Sequence, residues 1–386
     1  MTDIAYFDNN ATTPIDPRVR DAMLPWLSGL HGNPSSAHGA GRQARAAVDV
    51  ARRQMAGMLG AEPDEIVFTS SGTEANNTVI DTLARQCGYR GHLVINTLEH
   101  PSIHRAADRV EAAGMDVTEL EPGPDGVIAI DSVAAALRDD TRLVCLMHAN
   151  NELGTLQPVA AVAALCRSQG VPVLCDAVQT VSKMPVKVRE LGVDYLTLGG
   201  HKFHGPLGIA TLWVRPGAAL EPMLVGAPQE GGRRASTENV PAIVGLGMAA
   251  ELADREWRER AEKLTALRVN FEEGLERIPD AIVHCSESVR LPHTSHVAFL
   301  GVSGHELMMR LDSHSIAVST GSACHSSGGP QPSRAVVATG VSPDEALASL
   351  RISFGITNTH DEVQRLLETL TEEVAALRAR EPVAVG

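Results

Sequence analysis

The chain has 386 residues, of which 44% are hydrophobic and 21% charged, and its formal net charge is −14 at pH 7. This length exceeds one small core, so we expect two lobes. The acidic balance, without a basic tract, argues against binding of nucleic acid or of an anionic membrane surface. We find no signal peptide, no apolar stretch of roughly 18 residues that would span a membrane, and no C-x-x-C pair among the six cysteines. We therefore expect a cytoplasmic protein without a membrane segment, a disulfide framework or a metal site.

The first part of the chain reads as a polar arm followed by alternating helices and strands. Residues 1–14 end in DNNATTP, a composition that is usual for a loop but could also line a polar pocket. Helices are predicted over 16–30 and 41–59. A strand over 66–69 (IVFT) then runs into SSGTEANN and an apolar helix. This pattern suits a phosphate site at Gly72 and Thr73, although a plain helix N-cap would look the same.

Polar residues follow the next two predicted strands in the same way. LVINT ends shortly before His100, and LVCLM (143–147) ends shortly before Asn151. A metal pair of His100 and His104 is disfavoured, because Pro101 begins a helix directly after His100. Without a cofactor, His100 would be an ordinary hydrogen-bonded loop histidine.

Two further strands lead to an acid and a lysine. VPVLC is followed by Asp176 and, three residues later, Gln179, whereas YLTL is followed by His201 and Lys202. Open parallel sheets hold their ligands beyond the carboxyl ends of the strands. The pair suits pyridoxal phosphate, with Lys202 as the Schiff-base lysine and Asp176 at the pyridinium nitrogen. Gln179 could then reach the ring hydroxyl and His201 the phosphate. The alternative is a solvated loop lysine and an aspartate that caps a helix.

Helical patterns lie between most of these strands, which predicts an α/β fold with an open, mostly parallel sheet flanked by helices. One shared pocket explains the polar strand ends better than separate caps do, and it would contain Thr73, His100, Asn151, Asp176, Gln179 and Lys202. We assign residues 15–257 to a large cofactor-binding domain. Residues 1–14 and 258–386 would form a smaller α+β domain.

The C-terminal half contains two more candidate residues. Residues 226–239 form a Gly-rich loop with two arginines, too long for a turn, and a long helix follows from Pro241. Cys324 lies in TGSACHSSGGPQPS, whose composition favours an exposed loop, so it is a candidate nucleophile or an incidental thiol. Arg351, in the predicted strand LRISFG, is a surface residue or a clamp for a substrate carboxylate.

Together these motifs resemble the cysteine desulfurases of the iron–sulfur and nitrogenase-maturation type. Those are pyridoxal-phosphate enzymes of fold type I in the class V aminotransferase group, and selenocysteine lyases are close relatives. The resemblance runs from Tyr6 to about Glu368 and rests on FDNNATTP, HGNPSS, FTSSGTEANN, EHPSI, ANNELGT, DAVQ, GGHKFHGP, QEGGRR, STEN, STGSACHS and LRISFG.

The resemblance implies a reaction and a role for each matching residue. Sulfur would be removed from L-cysteine, leaving alanine, and Cys324 would carry it as a persulfide to a sulfur-acceptor protein. Lys202 would hold the cofactor and move protons, and His100 would stack on its ring. Thr237 would reach the phosphate of the other subunit, which implies a homodimer. Asp176 would contact the ring nitrogen, and Arg351 would bind the substrate carboxylate. Gln179 and Asn151 would contact the ring hydroxyl or the substrate. The phosphate would be held by Gly72, Thr73 and His201.

Three departures from the family pattern leave alternatives open. Gly199 stands where the family often has serine. Ser236 stands where the family usually has glycine, and serine would be costly if the backbone there has a positive φ. The run CHSSGGPQPS is closer to selenocysteine lyases. A selenocysteine lyase, an aminotransferase that does not use Cys324 and a non-catalytic scaffold are therefore alternatives. The intact set of Lys202, Asp176, His100 and Arg351 argues against the scaffold.

Overall fold

The structure is a computed structural model that describes residues 4–321 and 331–379, so Cys324 lies outside the described residues. The strands, in chain order, are β1 (Ala5–Tyr6), β2 (Ile66–Thr69), β3 (His92–Asn96), β4 (Asp116–Leu120), β5 (Thr141–Cys145), β6 (Val173–Asp176), β7 (Tyr195–Gly199), β8 (Ala210–Val214), β9 (Ala281–Val283), β10 (Thr294–Phe299), β11 (Ile316–Ala317) and β12 (Ser349–Ser353).

The helices of the same ranges are α1 (Pro17–Ser28), α2 (Gly39–Leu59), α3 (Gly72–Gln86), α4 (Pro101–Ala112), α5 (Ile130–Ala136), α6 (Val159–Ser168), α7 (Val188–Leu191), α8 (Val240–Gly274), α9 (Gly304–Ser313), α10 (Arg334–Ala338), α11 (Pro343–Leu347) and α12 (His360–Arg378). None of these helices is both long and apolar enough to cross a membrane.

The central sheet has the strand order β2-β8-β7-β6-β5-β3-β4. Only β8 runs antiparallel to its neighbours there, and the other pairs are parallel. Alternate residues enter cores on opposite faces: Leu93 and Leu143 pack into one core, Val94 and Val144 into the other. Helices cover both faces, so the strands are apolar along nearly their whole length. The expected α/β fold with a mostly parallel sheet is confirmed.

Most predicted elements agree with the structure to within two residues, and β5 shows why bounds differ. The apolar run LVCLM predicted a strand over 143–147, but β5 ends at Cys145. Ladder-like bonds continue beyond it, from Leu146 N to Leu174 O at 3.0 Å and from His148 N to Asp176 O at 2.8 Å. The predicted run is therefore hydrogen-bonded alongside β6, and this continuation carries the chain towards Asn151.

A second apolar core lies around the antiparallel sheet β12-β10-β9 and the parallel pair β1-β11. The N-terminal arm joins this core through Phe7, which packs edge-on against Phe354 with ring centroids 5.7 Å apart. Helix α8 contributes to both cores. Its first half, up to Ala253, packs under the central sheet, whereas Leu264 and Phe271 pack into the second core.

Candidate active site

Asp176 ends β6 as a buried carboxylate, 7% exposed. Its Oδ2 accepts a hydrogen bond from Asn76 Nδ2 at 2.9 Å, and its Oδ1 accepts one from Val178 N at 3.0 Å. Asn76 lies on α3, so this bond ties the helix after β2 to the end of β6. Asn76 was not among the predicted site residues. A polar residue on a buried helix face is a candidate site residue, and Asn76 is one. The sequence did not reveal it, because the buried face of α3 is known only from the folded structure.

Lys202 follows β7 in a short 3-10 turn and points at the N-terminal arm. Its Nζ donates to the main-chain oxygens of Asn10 at 2.6 Å and of Ala11 at 2.7 Å. Burial, with Arg351 adding to it and Asp176 opposing it, lowers the pKa of Lys202 to about 8. A neutral amine is therefore accessible near physiological pH, as a nucleophilic lysine requires.

Asn10 connects the predicted residues although the sequence assigned it no role. Its Nδ2 donates to Asn151 O at 3.0 Å, and its main-chain oxygen accepts from Gln179 Nε2 at 3.0 Å as well as from Lys202. Gln179 Oε1 is buried without a partner among the described residues. An unpaired buried acceptor is costly, so this atom is suited to a donor on a ligand, such as a ring hydroxyl.

Helix α3 provides a first turn that suits a phosphate. Ser71 caps it by accepting from Glu74 N at 3.1 Å, and the N–H groups of the first turn have no acceptor within a helix. A β-carbon on Gly72 would lie 3.3 Å from methyl groups of Thr197 and Val178, so glycine allows a close approach here. Thr73, the next residue, is exposed.

His201 and His100 are both placed as neutral imidazoles. Burial, with Lys202 and Lys183 adding to it, lowers the pKa of His201 to about 4, and its Nδ1 lies 3.2 Å from Thr12 Oγ1. His100 caps α4, where its Nδ1 accepts from Ser102 N at 3.1 Å, which leaves the proton of the neutral ring on Nε2. The ring is open to solvent on one side, yet desolvation by the surrounding protein lowers its pKa.

His104 Nδ1 lies 3.3 Å from Glu119 Oε1, and among the residues that the structure describes the two histidine side chains have no partner in common.

Arg351 on β12 is a buried guanidinium that is only partly satisfied. Its Nη1 donates to Asn151 O at 3.1 Å, and its Nη2 lies 2.7 Å from Asp8 Oδ1. Nε has no partner among the described residues, although Arg351 is only 4% exposed. A buried guanidinium with a free N–H is suited to a carboxylate ligand.

Lys183 is a further buried cation that sequence reasoning missed. It is 4% exposed, and its Nζ donates to the main-chain oxygen of Lys202 at 2.5 Å. Burial lowers its pKa to about 7. In the sequence it is an ordinary lysine of a turn, and only the tertiary structure places it behind Lys202.

The loop over 226–239 holds Thr237 in an exposed position, where it lines a cavity together with Thr69 and Ser70 before α3. Glu230 anchors the loop by accepting from Arg52 Nη2 at 2.6 Å and from Phe68 N at 3.0 Å. Ser236, which stands where the family pattern has glycine, has φ +96°, a backbone conformation that favours glycine. Gly199 has φ −119° and room for a β-carbon, with Val178 at 3.6 Å as its nearest neighbour.

The donors and acceptors of this pocket fit pyridoxal phosphate. A buried carboxylate suits the ring nitrogen, an amine of lowered pKa suits the aldehyde, and the first turn of α3 suits the phosphate. Gln179 Oε1 and Arg351 Nε are left to pair with polar groups of a cofactor or substrate.

Comparisons with known proteins identify the relatives of this chain. The family model described as Aminotransferase class-V matches residues 5–366. A curated relative, "Cysteine desulfurase IscS" of Methanosarcina thermophila, is 40% identical over 379 residues, which are 98% of this chain and 94% of the relative. A solved "NIFS-LIKE PROTEIN" superposes with a TM-score of 0.91 at 34% identity, over 97% of this chain and 100% of that one. The structure "SspA in complex with cysteine" superposes with a TM-score of 0.82 at 34% identity, over 91% and 98% of the two chains.

Proposed function

The chain belongs to the class-V aminotransferase family and is a pyridoxal-phosphate-dependent cysteine desulfurase, and we propose that Lys202, Asp176, Arg351 and Cys324 carry its reaction. The family and activity implied by the motifs are thereby confirmed. The observation that most supports the proposed residues is the amine of Lys202, which among the described residues has only main-chain acceptors and which interacts electrostatically with the buried carboxylate of Asp176.

Pyridoxal phosphate, when bound, supplies an electron sink that weakens bonds around the α-carbon of an amino acid. Lys202 would hold it covalently and Asp176 would pair with its ring nitrogen. His100 would stack on the ring. The other contacts would come from Gln179 and Asn151 at the ring hydroxyl, and from Gly72, Thr73 and His201 at the phosphate.

The protein side chains bind the substrate and move its protons. Arg351 would take the α-carboxylate of L-cysteine through the N–H that has no protein partner, with Asn151 beside it. Lys202, with its pKa lowered to about 8, would be able to accept and return a proton at the substrate α-carbon near neutral pH.

Sulfur leaves the substrate by transfer to Cys324, which lies outside the described residues. The Cys324 thiolate attacks the substrate sulfur, an S–S bond forms and the bond between the β-carbon and sulfur breaks. The electron pair of that bond stays on carbon, which takes up a proton and leaves as alanine. The two sulfurs are oxidised as the carbon is reduced, so no external oxidant is needed, and the persulfide passes to a sulfur-acceptor protein.

We also propose a homodimer, a domain boundary within α8 near residue 257, and a cytoplasmic location. Leu224 and Val225 are exposed apolar residues beside the loop that carries Thr237, and a partner subunit would cover them.

The proposed cytoplasmic location is supported by the free thiols of the described residues, which suit a reducing compartment: Cys87, Cys145, Cys166, Cys175 and Cys285.

The proposed role of Cys324 is tested by the substitutions Cys324→Ala and, as a matched control, Cys285→Ala in the holoenzyme. With L-cysteine and a thiol reductant, we expect wild type and Cys285→Ala to release equal amounts of alanine and sulfide. Cys324→Ala should lose at least 99% of this turnover, since the sulfur has no acceptor (roughly the hundredfold or more lost with a nucleophile). Full sulfide release by Cys324→Ala would contradict the role.

A selenocysteine lyase is the second candidate, because CHSSGGPQPS is closer to those enzymes. Turnover of L-selenocysteine and L-cysteine by the wild-type enzyme separates the two. We expect substantial turnover of cysteine, and a cysteine rate that is negligible beside the selenocysteine rate would favour the lyase.

A further inference from the structure

The Asp8 carboxylate contacts the guanidinium of Arg351, which in the proposed function binds the substrate carboxylate. Asp8 Oδ1 lies 2.7 Å from Arg351 Nη2, and among the described residues no other carboxylate lies within 4.0 Å of Arg351. Arg351 is 4% exposed, whereas the side chain of Asp8 is 21% exposed and therefore partly open to solvent. The pair thus resembles the contact that a bound amino acid would make, with the anion supplied by the protein.

The backbone holds Asp8 in this place. The arm pairs with β12, because Asp8 forms a parallel bridge with Ser353 and Ser353 N donates to Phe7 O at 2.8 Å. Tyr6 closes the arm from the other side by donating its hydroxyl to Asp8 O at 3.0 Å. The backbone of Asp8 is therefore fixed beside Arg351, and a substrate carboxylate has to share the guanidinium with the Asp8 side chain.

We propose that Asp8 competes with the α-carboxylate of the ligand for Arg351 and so keeps amino-acid binding weak. This inference rests on the proposed role of Arg351. The Asp8 charge neutralises Arg351 in the free enzyme, where a lone buried cation would be costly, and it repels an incoming carboxylate. The product alanine has the same carboxylate as the substrate, so Asp8 also speeds its departure.

Replacement by asparagine separates the charge of Asp8 from its position. An asparagine Oδ1 still accepts from Arg351 Nη2, so Asp8→Asn retains the orientation of the guanidinium and removes only the competing charge. In the holoenzyme we expect the dissociation constant of L-alanine, measured by calorimetry, and the KM for L-cysteine to fall together by roughly tenfold. The kcat should not rise. The exposed Asp312→Asn on α9 is the matched control and should leave both constants unchanged.

A rise in the alanine dissociation constant of Asp8→Asn, or an unchanged value, would overturn the inference, because Asp8 would then only position Arg351 or play no part. Arg351→Lys distinguishes this from a failure of the proposed function. If Arg351→Lys weakens alanine binding, Arg351 is the carboxylate site and the sign found for Asp8→Asn decides the competition. If Arg351→Lys leaves alanine binding unchanged, the proposed carboxylate site itself is wrong, and the inference falls with it.

Discussion

Glu99 is a buried carboxyl group next to His100 that the proposed reaction does not use. Its Oε1 accepts from Met147 N at 2.7 Å and from Asn96 Nδ2 at 2.7 Å, and its Oε2 has no partner among the described residues. Burial, with a smaller effect of Asp176, raises the pKa of Glu99 to about 8. Glu99 is therefore protonated in the folded protein at neutral pH, whereas in the unfolded chain it would be ionised above its ordinary pKa.

This difference predicts a pH-dependent effect of Glu99→Gln on stability. The folded state binds the Glu99 proton more tightly, so wild type loses stability as pH rises through the window between the ordinary glutamate pKa and the folded pKa of about 8. Glutamine keeps the Oε1 acceptor and does not titrate. Relative to wild type, the variant should gain up to about 1.4 kcal/mol per pH unit in this window. Thermal unfolding midpoints at pH 5.5 and pH 8, with exposed Glu111→Gln as control, measure it. An offset that does not change with pH would contradict the buried, protonated state.

The residues that could be predicted from the sequence are those that follow strands directly. Asp176 and Lys202 each come just after an apolar run, so a local pattern places them at the same edge of the sheet. Asn76, Asn10 and Lys183 could not be predicted, because their contacts join parts of the chain that only the tertiary fold brings together. Asn10 O and Lys202 Nζ, for example, are 192 residues apart in the sequence.

The loop over 226–239 contains Ser236, one of the three departures of this chain from the family pattern. Glu230 is 5% exposed and fixes one end of the loop on Arg52, which also stacks over Phe68 at 4.7 Å. Arg234 pairs with Glu74 at 2.9 Å and ties the loop to the start of α3. These anchors hold the path of the backbone even though Ser236 has an unfavourable φ of +96°.

We expect Ser236→Gly to stabilise the protein. Glycine relieves the strain at this φ, and although it adds entropy to the unfolded chain, the net gain should be about 0.5–1 kcal/mol. The change is measured as an increase in the thermal unfolding midpoint. Ser132→Gly, in the regular helix α5, is the matched control and should lower the midpoint, because glycine weakens a helix. A fall in stability of both variants would show that the Ser236 conformation carries no strain.

The sequence predicted whether a segment is a helix or a strand better than it predicted the first and last residues of that segment. Helix α8 begins at a cap, where Asn239 accepts from Ala242 N at 3.3 Å with Pro241 in the first turn, and it continues for 35 residues. It changes from one core to the other between Ala253 and Leu264, and the boundary near residue 257 that the sequence predicts stays a prediction. Apolar residues continue through both halves and only their partners differ, so no break in the chain marks this change.

Two exposed apolar side chains lie beside the loop that carries Thr237. Val225 is 85% exposed and Leu224 is 40% exposed. If Thr237 reaches the site of a partner subunit, these side chains lie in the dimer interface. Val225→Asp should then place a charge in that interface and raise the dimer dissociation constant by roughly tenfold or more.

Sedimentation velocity over a range of concentrations measures this dissociation. Val289→Asp is the control, because Val289 is similarly exposed (72%) but lies on the loop before β10. Val225→Asp should shift towards monomer at concentrations where Val289→Asp remains dimeric. Equal behaviour of the two variants would place the interface elsewhere.

The pairing of β1 with β11 also has a consequence for synthesis on the ribosome. Ala5 pairs with Ile316, and Asn9 Nδ2 donates to Ser353 O at 2.8 Å. Translation runs from the N-terminus at about 5–20 residues per second, so the arm would leave the ribosome roughly 15–60 s before its partner strand does. During that time Lys202, once made, would have its acceptors Asn10 and Ala11 on an unpaired arm. The pocket therefore matures only near the end of translation, and a truncated chain that ends before β11 would contain Lys202 and Asp176 without a finished site.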